Sequence, residues 1–230
     1  VLKKAVNSMR DDILTRLSRL DVCAISDGLD QRRLPASVIG LSPRAALRRV
    51  CGQVVTVKLA AGPAPIGGSV THLCATAIDA SGPSHVIVVE QSTGIECACW
   101  GGILSNAARV RGIAGVILEG LARDVDEALQ IDFPIYARGC TARTARGRIH
   151  ELATGVPIRV GGVDVNNGDY VVADGSGVAF ISADRIMEVL ESAEQIFKKE
   201  AGMTKAILSG HPVSQVMGAD YESLLAGSPQ

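Results

Sequence analysis

The sequence predicts an α/β fold of β/β/α layering, and three observations carry that expectation. Strand-like apolar runs at 51–59, 85–90, 116–118 and 133–136 alternate with helical patterns through the first two-thirds of the chain. The last third changes to short runs separated by glycine turns, which read as antiparallel hairpins. A long amphipathic helix follows, with Ile186, Val189, Leu190, Ala193, Ile196 and Phe197 on one face. At 230 residues, 47% hydrophobic and 20% charged, the chain can bury a sizeable core. No repeat, low-complexity run or linker divides it. One domain over 1–230 is expected, with N-terminal helices and a C-terminal helical extension over about 182–225.

The elements follow in order. Residues 8–20 form an amphipathic helix, with Met9, Ile13, Leu17 and Leu20 as its stripe and Ser8 as a possible N-cap. Val22–Leu29 is a second helix capped by Asp21. Residues 31–50, with Pro35, Gly40 and Pro43, read as loop. Cys51–Leu59 is a strand. The glycine- and proline-rich stretch 61–68 reads as a flexible loop over a site, and it lacks a phosphate-loop lysine. Ser69–Ala80 is predicted helical and carries His72, a residue type more often structural than catalytic when it stands alone. His85–Glu90 is a buried strand ending in a turn at 91–94, where open α/β sheets commonly build sites. After a short helix over 124–130 and a strand over 133–136, residues 138–150 read as a basic loop with Arg138, Arg143, Arg146 and Arg148, solvated or at a subunit contact. Val156–Val165 is a hairpin about Gly161-Gly162, and Tyr170–Ala173 pairs with Gly177–Ile181. Ser182 is the expected cap of the long helix, which runs to about Thr204, and Met217–Leu225 is a short terminal helix.

Composition excludes several functions. Aromatic residues are 3% of the chain, too few for base-stacking platforms. A net charge of −1 supplies no overall attraction for nucleic acid or an anionic membrane. No apolar run approaches a membrane span, and the N-terminus shows no signal or transit pattern. The six cysteines lack a C-x-x-C pair; Cys97-Ala-Cys99 is one residue short. A cytoplasmic protein with reduced, mostly buried thiols is the expectation.

The stretch 100–124 carries the chemistry. Trp100-Gly101-Gly102 opens a helix through Ile103, Leu104, Ala107, Ala108 and Val110. Gly112 and Gly115 mark its stop and a turn; Val116-Ile117-Leu118 is a strand that delivers Arg123-Asp124. First-turn amides of a helix have no intrahelical partner and face the positive end of its dipole, so an anion settles there. Arginine holds an anion with a planar fork of donors. Aspartate is a hard oxygen ligand suited to Mg²⁺ with retained waters. Against this stands a plainer alternative, in which Arg123-Asp124 is only a helix cap with a dipole-favoured acid.

The runs T-V-K (56–58), V-I-V-V-E (86–90), W-G-G-I-L (100–104), R-G-I-A-G-V-I-L-E-G-L-A-R-D (111–124), P-I-Y-A-R-G (134–139), V-P-I-R-V-G-G-V (156–163) and G-D-Y-V-V-A-D-G-S-G-V (168–178) resemble the RraA-like superfamily. That group includes the ribonuclease E regulator and the 4-hydroxy-4-methyl-2-oxoglutarate / 4-carboxy-4-hydroxy-2-oxoadipate aldolases. The resemblance implies a swivelling β/β/α domain, assembled as a homotrimer or homohexamer. It implies a class II lyase using Mg²⁺ or Mn²⁺. Asp124 would be the metal ligand, Arg123 would bind the 2-oxo acid, and the amides of Gly101, Gly102, Ile103 and Leu104 would take the pyruvate carboxylate. A divalent ion polarises the 2-oxo group and stabilises the enolate left by C–C cleavage, and oxaloacetate decarboxylation needs the same enolate.

One departure stands out. The metal-dependent aldolases carry an acid twenty residues before Arg-Asp, which falls at position 102, and here that residue is Gly102. Glu90 and Glu119 are the candidates to compensate. Glu200, on the long helix, is a candidate to reach a neighbouring subunit's site, although a surface glutamate is the commoner case. Three readings follow: a metal-dependent lyase, a non-catalytic regulator that binds a protein partner, and a related enzyme in which Gly102 makes room for a bulkier substrate.

Overall fold

Two apolar faces on the same strands build the centre of the molecule. Successive side chains of a strand point to opposite faces. Along β2 (Val50–Ala61), β3 (His85–Glu90) and β5 (Gly115–Ala122), both sets are hydrophobic. Val54, Val86, Val88 and Ile117 enter one buried cluster. Val57, Ile87, Val89, Val116 and Leu118 enter another on the opposite side. Strands covered on both faces commonly pair in parallel, and β2, β3, β5 and β6 (Ile135–Cys140) do so.

The computed structural model describes residues 2–35, 37–65 and 71–218. The sheet is completed by β1 (Ser42–Ala45), β4 (Ala98–Trp100), β7 (Ile149–Thr154), β10 (Tyr170–Asp174) and β11 (Gly177–Ile181). Its nine strands run β1-β6-β5-β3-β2-β10-β11, with β4 on β5 and β7 on β2. A separate hairpin joins β8 (Ile158–Val160) to β9 (Val163–Val165), and its turn residues Gly161 and Gly162 have φ of +54° and +89°, the backbone that a tight hairpin demands. This is the expected mixed α/β fold.

The helices are α1 (Leu2–Leu17), α2 (Val22–Gln31), α3 (Ala75–Ala80), α4 (Gly102–Val110), α5 (Val125–Gln130), α6 (Ile186–Leu208) and α7 (Val213–Val216). α1, α2 and α6 bury Leu17, Ile25, Leu29, Val189, Leu190 and Ala193 against Val172 and Ala179 of β10 and β11. Asp21 caps α2 by accepting from the Ala24 amide at 2.8 Å. No helix among the described residues is long and apolar enough to cross a membrane.

α2 and α6 approach most tightly at Gly28. A methyl group there would stand 3.1 Å from Ala193 N and 3.2 Å from Val189 O, both backbone atoms. Gly28→Val is therefore expected to destabilise the fold by about 1–3 kcal/mol through overpacking. A fall in the urea midpoint with unchanged slope would show it; an unchanged midpoint would mean the helices separate freely.

Several expectations are corrected. α1 begins at Leu2, so Ser8 lies inside the helix and caps nothing. The 31–50 stretch contains β1, antiparallel to β6. His72 precedes α3, which starts only at Ala75. β6 extends to Cys140 and takes Arg138 out of the basic loop; its guanidinium forms a two-pronged pair with Glu119 at 2.9 and 2.8 Å. α6 begins at Ile186 with Arg185 as its N-cap, so Ser182 is not the cap, and it runs on to Leu208. Phe197 is 38% exposed rather than on the buried face. The helix predicted over 217–225 falls mostly on residues outside those described; α7 ends before it. Cys74, Cys97 and Cys99 are buried, whereas Cys23 and Cys140 are exposed. The missed elements share one cause. β1 and β4 span only four and three residues, His150 and Glu151 break the apolar run of β7, and each is held by its partner strand rather than by local pattern.

Candidate active site

Two strand ends meet at one helix start. β4 ends at Trp100, and extended Gly101 leads into α4. Beside it β5 ends at Ala122, and the Arg123 amide donates to the Trp100 carbonyl at 3.0 Å. Asp124 then adopts the left-handed region, φ 55°, which aspartate tolerates better than most residues. Its carboxylate lies across the start of α4. The Gly102 amide donates to Asp124 Oδ2 at 2.9 Å, and Arg123 Nε donates to the same atom at 3.1 Å. Gly101 makes room for this pair: a methyl there would come within 2.9 Å of Asp124 Oδ2 and 3.1 Å of Arg123 Cγ.

The plainer reading, a helix cap, holds in altered form: Asp124 caps the start of α4, not of its own helix. Asp124 is the N-cap residue of α5, yet its side chain makes no capping bond there. It reaches instead to α4. The Gly102 amide, then the Arg123 guanidinium, holds the Asp124 carboxyl below its ordinary range, while burial opposes them. Both hydrogen bonds fall on Oδ2. Among the described residues, Oδ1 and the terminal nitrogens of Arg123 have no partner. Helix geometry leaves the Ile103 and Leu104 amides without intrahelical acceptors as well.

These groups line a cavity of ≈ 390 Å³, the size of a small-molecule site. One wall is Trp100, Gly101, Gly102, Ile103, Leu104, Arg123 and Asp124. The sequence-predicted Arg123, Asp124 and first turn of α4 are thus together. The three candidate acids are not on this wall. Glu90 accepts from the Arg159 amide at 3.0 Å and pairs with Lys58 at 3.5 Å. Glu119 is held by Arg138 and by the Gly161 amide. Glu200 stands near Asp27 and Asp21, its carboxyl raised by burial and then by those charges.

The rest of the lining was not foreseen. It includes His72, Thr144, Arg146, His150 and Glu151, with Pro63 and Ala64. The remainder of the expected covering loop, residues 66–68, and the first two residues of the helix predicted over 69–80 lie outside the described residues. His72 Nδ1 and His150 Nδ1 sit 3.0 Å from the carbonyls of Leu73 and Gly62. A carbonyl neighbour places the proton on Nδ1 in the neutral ring. Glu151 accepts from the Cys74 amide at 2.6 Å and from Thr154 at 2.7 Å, which fixes the turn before α3. Pairing of β7 with the far end of β2 brings His150 and Glu151 to the site.

Asp124 offers this cavity one hard oxygen donor. Among the described residues no three His, Cys, Asp or Glu side chains gather into a metal cage. An ion at Asp124 would rest on carboxylate oxygen and retained waters, the regime that Mg²⁺ favours and Mn²⁺ accepts.

Comparison with known proteins agrees with the fold. The family model described as RraA-like, Aldolase/RraA, matches residues 22–180. Protein DlpA of Legionella pneumophila subsp. pneumophila is 28% identical over 204 residues, covering 89% of this chain and 33% of that protein, so the chain spans only a third of that relative's length. A Halalkalibacterium halodurans protein named "Putative 4-hydroxy-4-methyl-2-oxoglutarate aldolase" is 30% identical over 194 residues, covering 83% of this chain and 84% of that one. The crystal structure of an uncharacterized protein from Pseudomonas syringae pv. tomato superposes with a TM-score of 0.80 at 27% identity, covering 90% of this chain and 98% of the other. With the match running from the start of α2 into β11, the chain belongs to the RraA-like family.

Proposed function

We propose that this protein is a divalent-metal-dependent lyase that cleaves a C–C bond in a 2-oxo acid to release pyruvate, as an aldolase, an oxaloacetate decarboxylase or both. The observation that carries this reading is the diversion of Asp124 from its own helix to the cavity wall beside Arg123. Asp124 is the metal ligand, through Oδ1, the oxygen that has no donor among the described residues. Arg123 and the first-turn amides of α4 hold the substrate carboxylate; the Gly102 amide already serves Asp124, which leaves Ile103 and Leu104 as donors. Mg²⁺ or Mn²⁺, when bound, supplies Lewis acidity at the 2-oxo group. Trp100 and Leu104 are the buried apolar part of that wall and keep water from the substrate. Arg146, His72 and His150 line the same cavity and select the part of the substrate beyond the pyruvate unit.

The protein is proposed to be cytoplasmic and to act as a homotrimer or homohexamer. Ile103 and Val110 of α4 are 87% and 88% exposed in the single chain, an apolar surface that self-association would cover.

A second reading, a regulator that binds a protein partner, draws on Gly102 in place of an acid. It predicts a tight partner complex indifferent to metal. The deciding experiment is pyruvate release from oxaloacetate and from 4-hydroxy-4-methyl-2-oxoglutarate, with Mg²⁺ and with chelator. Turnover that requires the ion is expected. No turnover on either substrate, with or without metal, removes the lyase reading.

A further inference from the structure

We propose that Glu127, from α5, is the second carboxylate of the divalent-ion site, standing over Gly102 where a side chain on α4 itself would otherwise lie. The inference rests on the lyase reading above and adds to it a residue that local sequence assigns to another task.

The geometry is specific. Asp124-Val125-Asp126-Glu127 has the spacing of a capping box, in which both acidic side chains serve the start of their own helix. Neither does so as a pair. Asp124 makes no cap bond on α5 and crosses to α4. Glu127 crosses as well: its Oε1 accepts from Asn106 Nδ2 at 2.7 Å, and the same amide donates to the Gly102 carbonyl at 2.9 Å. That clamp sets the other oxygen over Gly102. A methyl on Gly102 would overlap Glu127 Oε2 and lie 2.6 Å from its Cδ. Two consecutive glycines thus each leave space for one carboxylate, Gly101 for Asp124 and Gly102 for Glu127. The position of Gly102 is also where the resemblance predicts an acid. The carboxylate is supplied from the neighbouring helix, and the glycine is what admits it. Glu127 is exposed and is not part of the cavity lining, so it acts from outside the cavity, through its charge beside the Gly102 amide that holds Asp124, and such outer partners tune affinity.

The role is tested by metal affinity, read by electron paramagnetic resonance of Mn²⁺ titrated into the full chain. Glu127→Gln keeps the acceptor for Asn106 and removes only the charge. It is expected to weaken Mn²⁺ binding roughly 10-fold or more, with an unchanged melting temperature. Gly102→Ala displaces the Glu127 carboxylate while keeping the residue, and a similar loss is expected. Gly102→Asp in a Glu127→Ala background moves the carboxylate from α5 to α4 and is expected to restore the affinity that Glu127→Ala loses. If Asp124→Asn abolishes binding but Glu127→Gln binds Mn²⁺ as tightly as wild type, Glu127 is only a tie between α4 and α5, and the inference fails while the metal site stands. Wild-type protein that binds no Mn²⁺ overturns the metal reading and the inference with it.

Discussion

Asp124→Ala is expected to lower metal-dependent pyruvate release by roughly 10³-fold, since Lewis-acid stabilisation is worth several kcal/mol and each ~1.4 kcal/mol is tenfold in rate. The variant removes the proposed ligand and also the acceptor of the Gly102 amide and of Arg123 Nε. Losing a cap of this kind costs about 1 kcal/mol of stability, so the fold should survive and the loss should appear in turnover. Asp124→Asn separates the two roles, because an amide oxygen still accepts from Gly102 but carries no charge. Equal loss in both variants assigns the effect to the charge. Full activity in Asp124→Asn would sink the metal-ligand role.

The same residue sets a pH expectation. The folded-state carboxyl of Asp124 is lowered from its ordinary 3.8, first by the Gly102 amide. A lowered carboxyl contributes above its unfolded value, and that contribution is lost only as pH falls through the lower, folded value. Metal affinity carried by Asp124 should therefore persist down to the ordinary carboxylate range and fall below it. An affinity that fades between pH 5 and 7 would point to a histidine instead.

Trp100→Ala is expected to be the most damaging single change to stability. Trp100 is 2% exposed and stacks on Phe133 with ring centroids 6.2 Å apart. Its Nε1 donates to Ser105 Oγ at 2.9 Å, and Ser105 in turn donates to the Gly101 carbonyl at 3.1 Å. One ring thus fills the core under α4 and fixes the backbone on which Asp124 rests. Truncating a buried tryptophan costs about 3–5 kcal/mol, or roughly 10 °C in melting temperature for a chain of this size. Trp100→Phe retains the ring and loses the bond to Ser105, so about 1–2 kcal/mol is expected. Thermal unfolding followed by circular dichroism reads both. A loss below about 1 kcal/mol for Trp100→Ala would mean the wall is held by other contacts.

What could be read from the sequence was local. His85–Glu90 was legible to the residue, because a continuous apolar run buried on both faces has few alternatives. The Asp21 cap of α2 and the positive φ of Gly161 and Gly162 follow from residue chemistry acting over two or three positions. The adjacency of Arg123 and Asp124, the glycine-opened helix and the family of the fold were legible for the same reason. The strands β1, β4 and β7 were not, because β1 and β4 are too short and β7 too polar to show a pattern of their own, and pairing with β6, β5 and β2 holds them. The contribution of His150 and Glu151 to the cavity was therefore out of reach as well, since it comes with β7. Local pattern was misleading at Asp124 and Glu127, whose spacing belongs to a helix start while their carboxylates serve the next helix. The sequence by itself determined the layers, the family and the adjacency of Arg123 and Asp124 beside a glycine-opened helix. Only the tertiary structure decided which acids face Gly101 and Gly102, because two strand ends side by side let a carboxylate satisfy a neighbouring helix's unpaired amide.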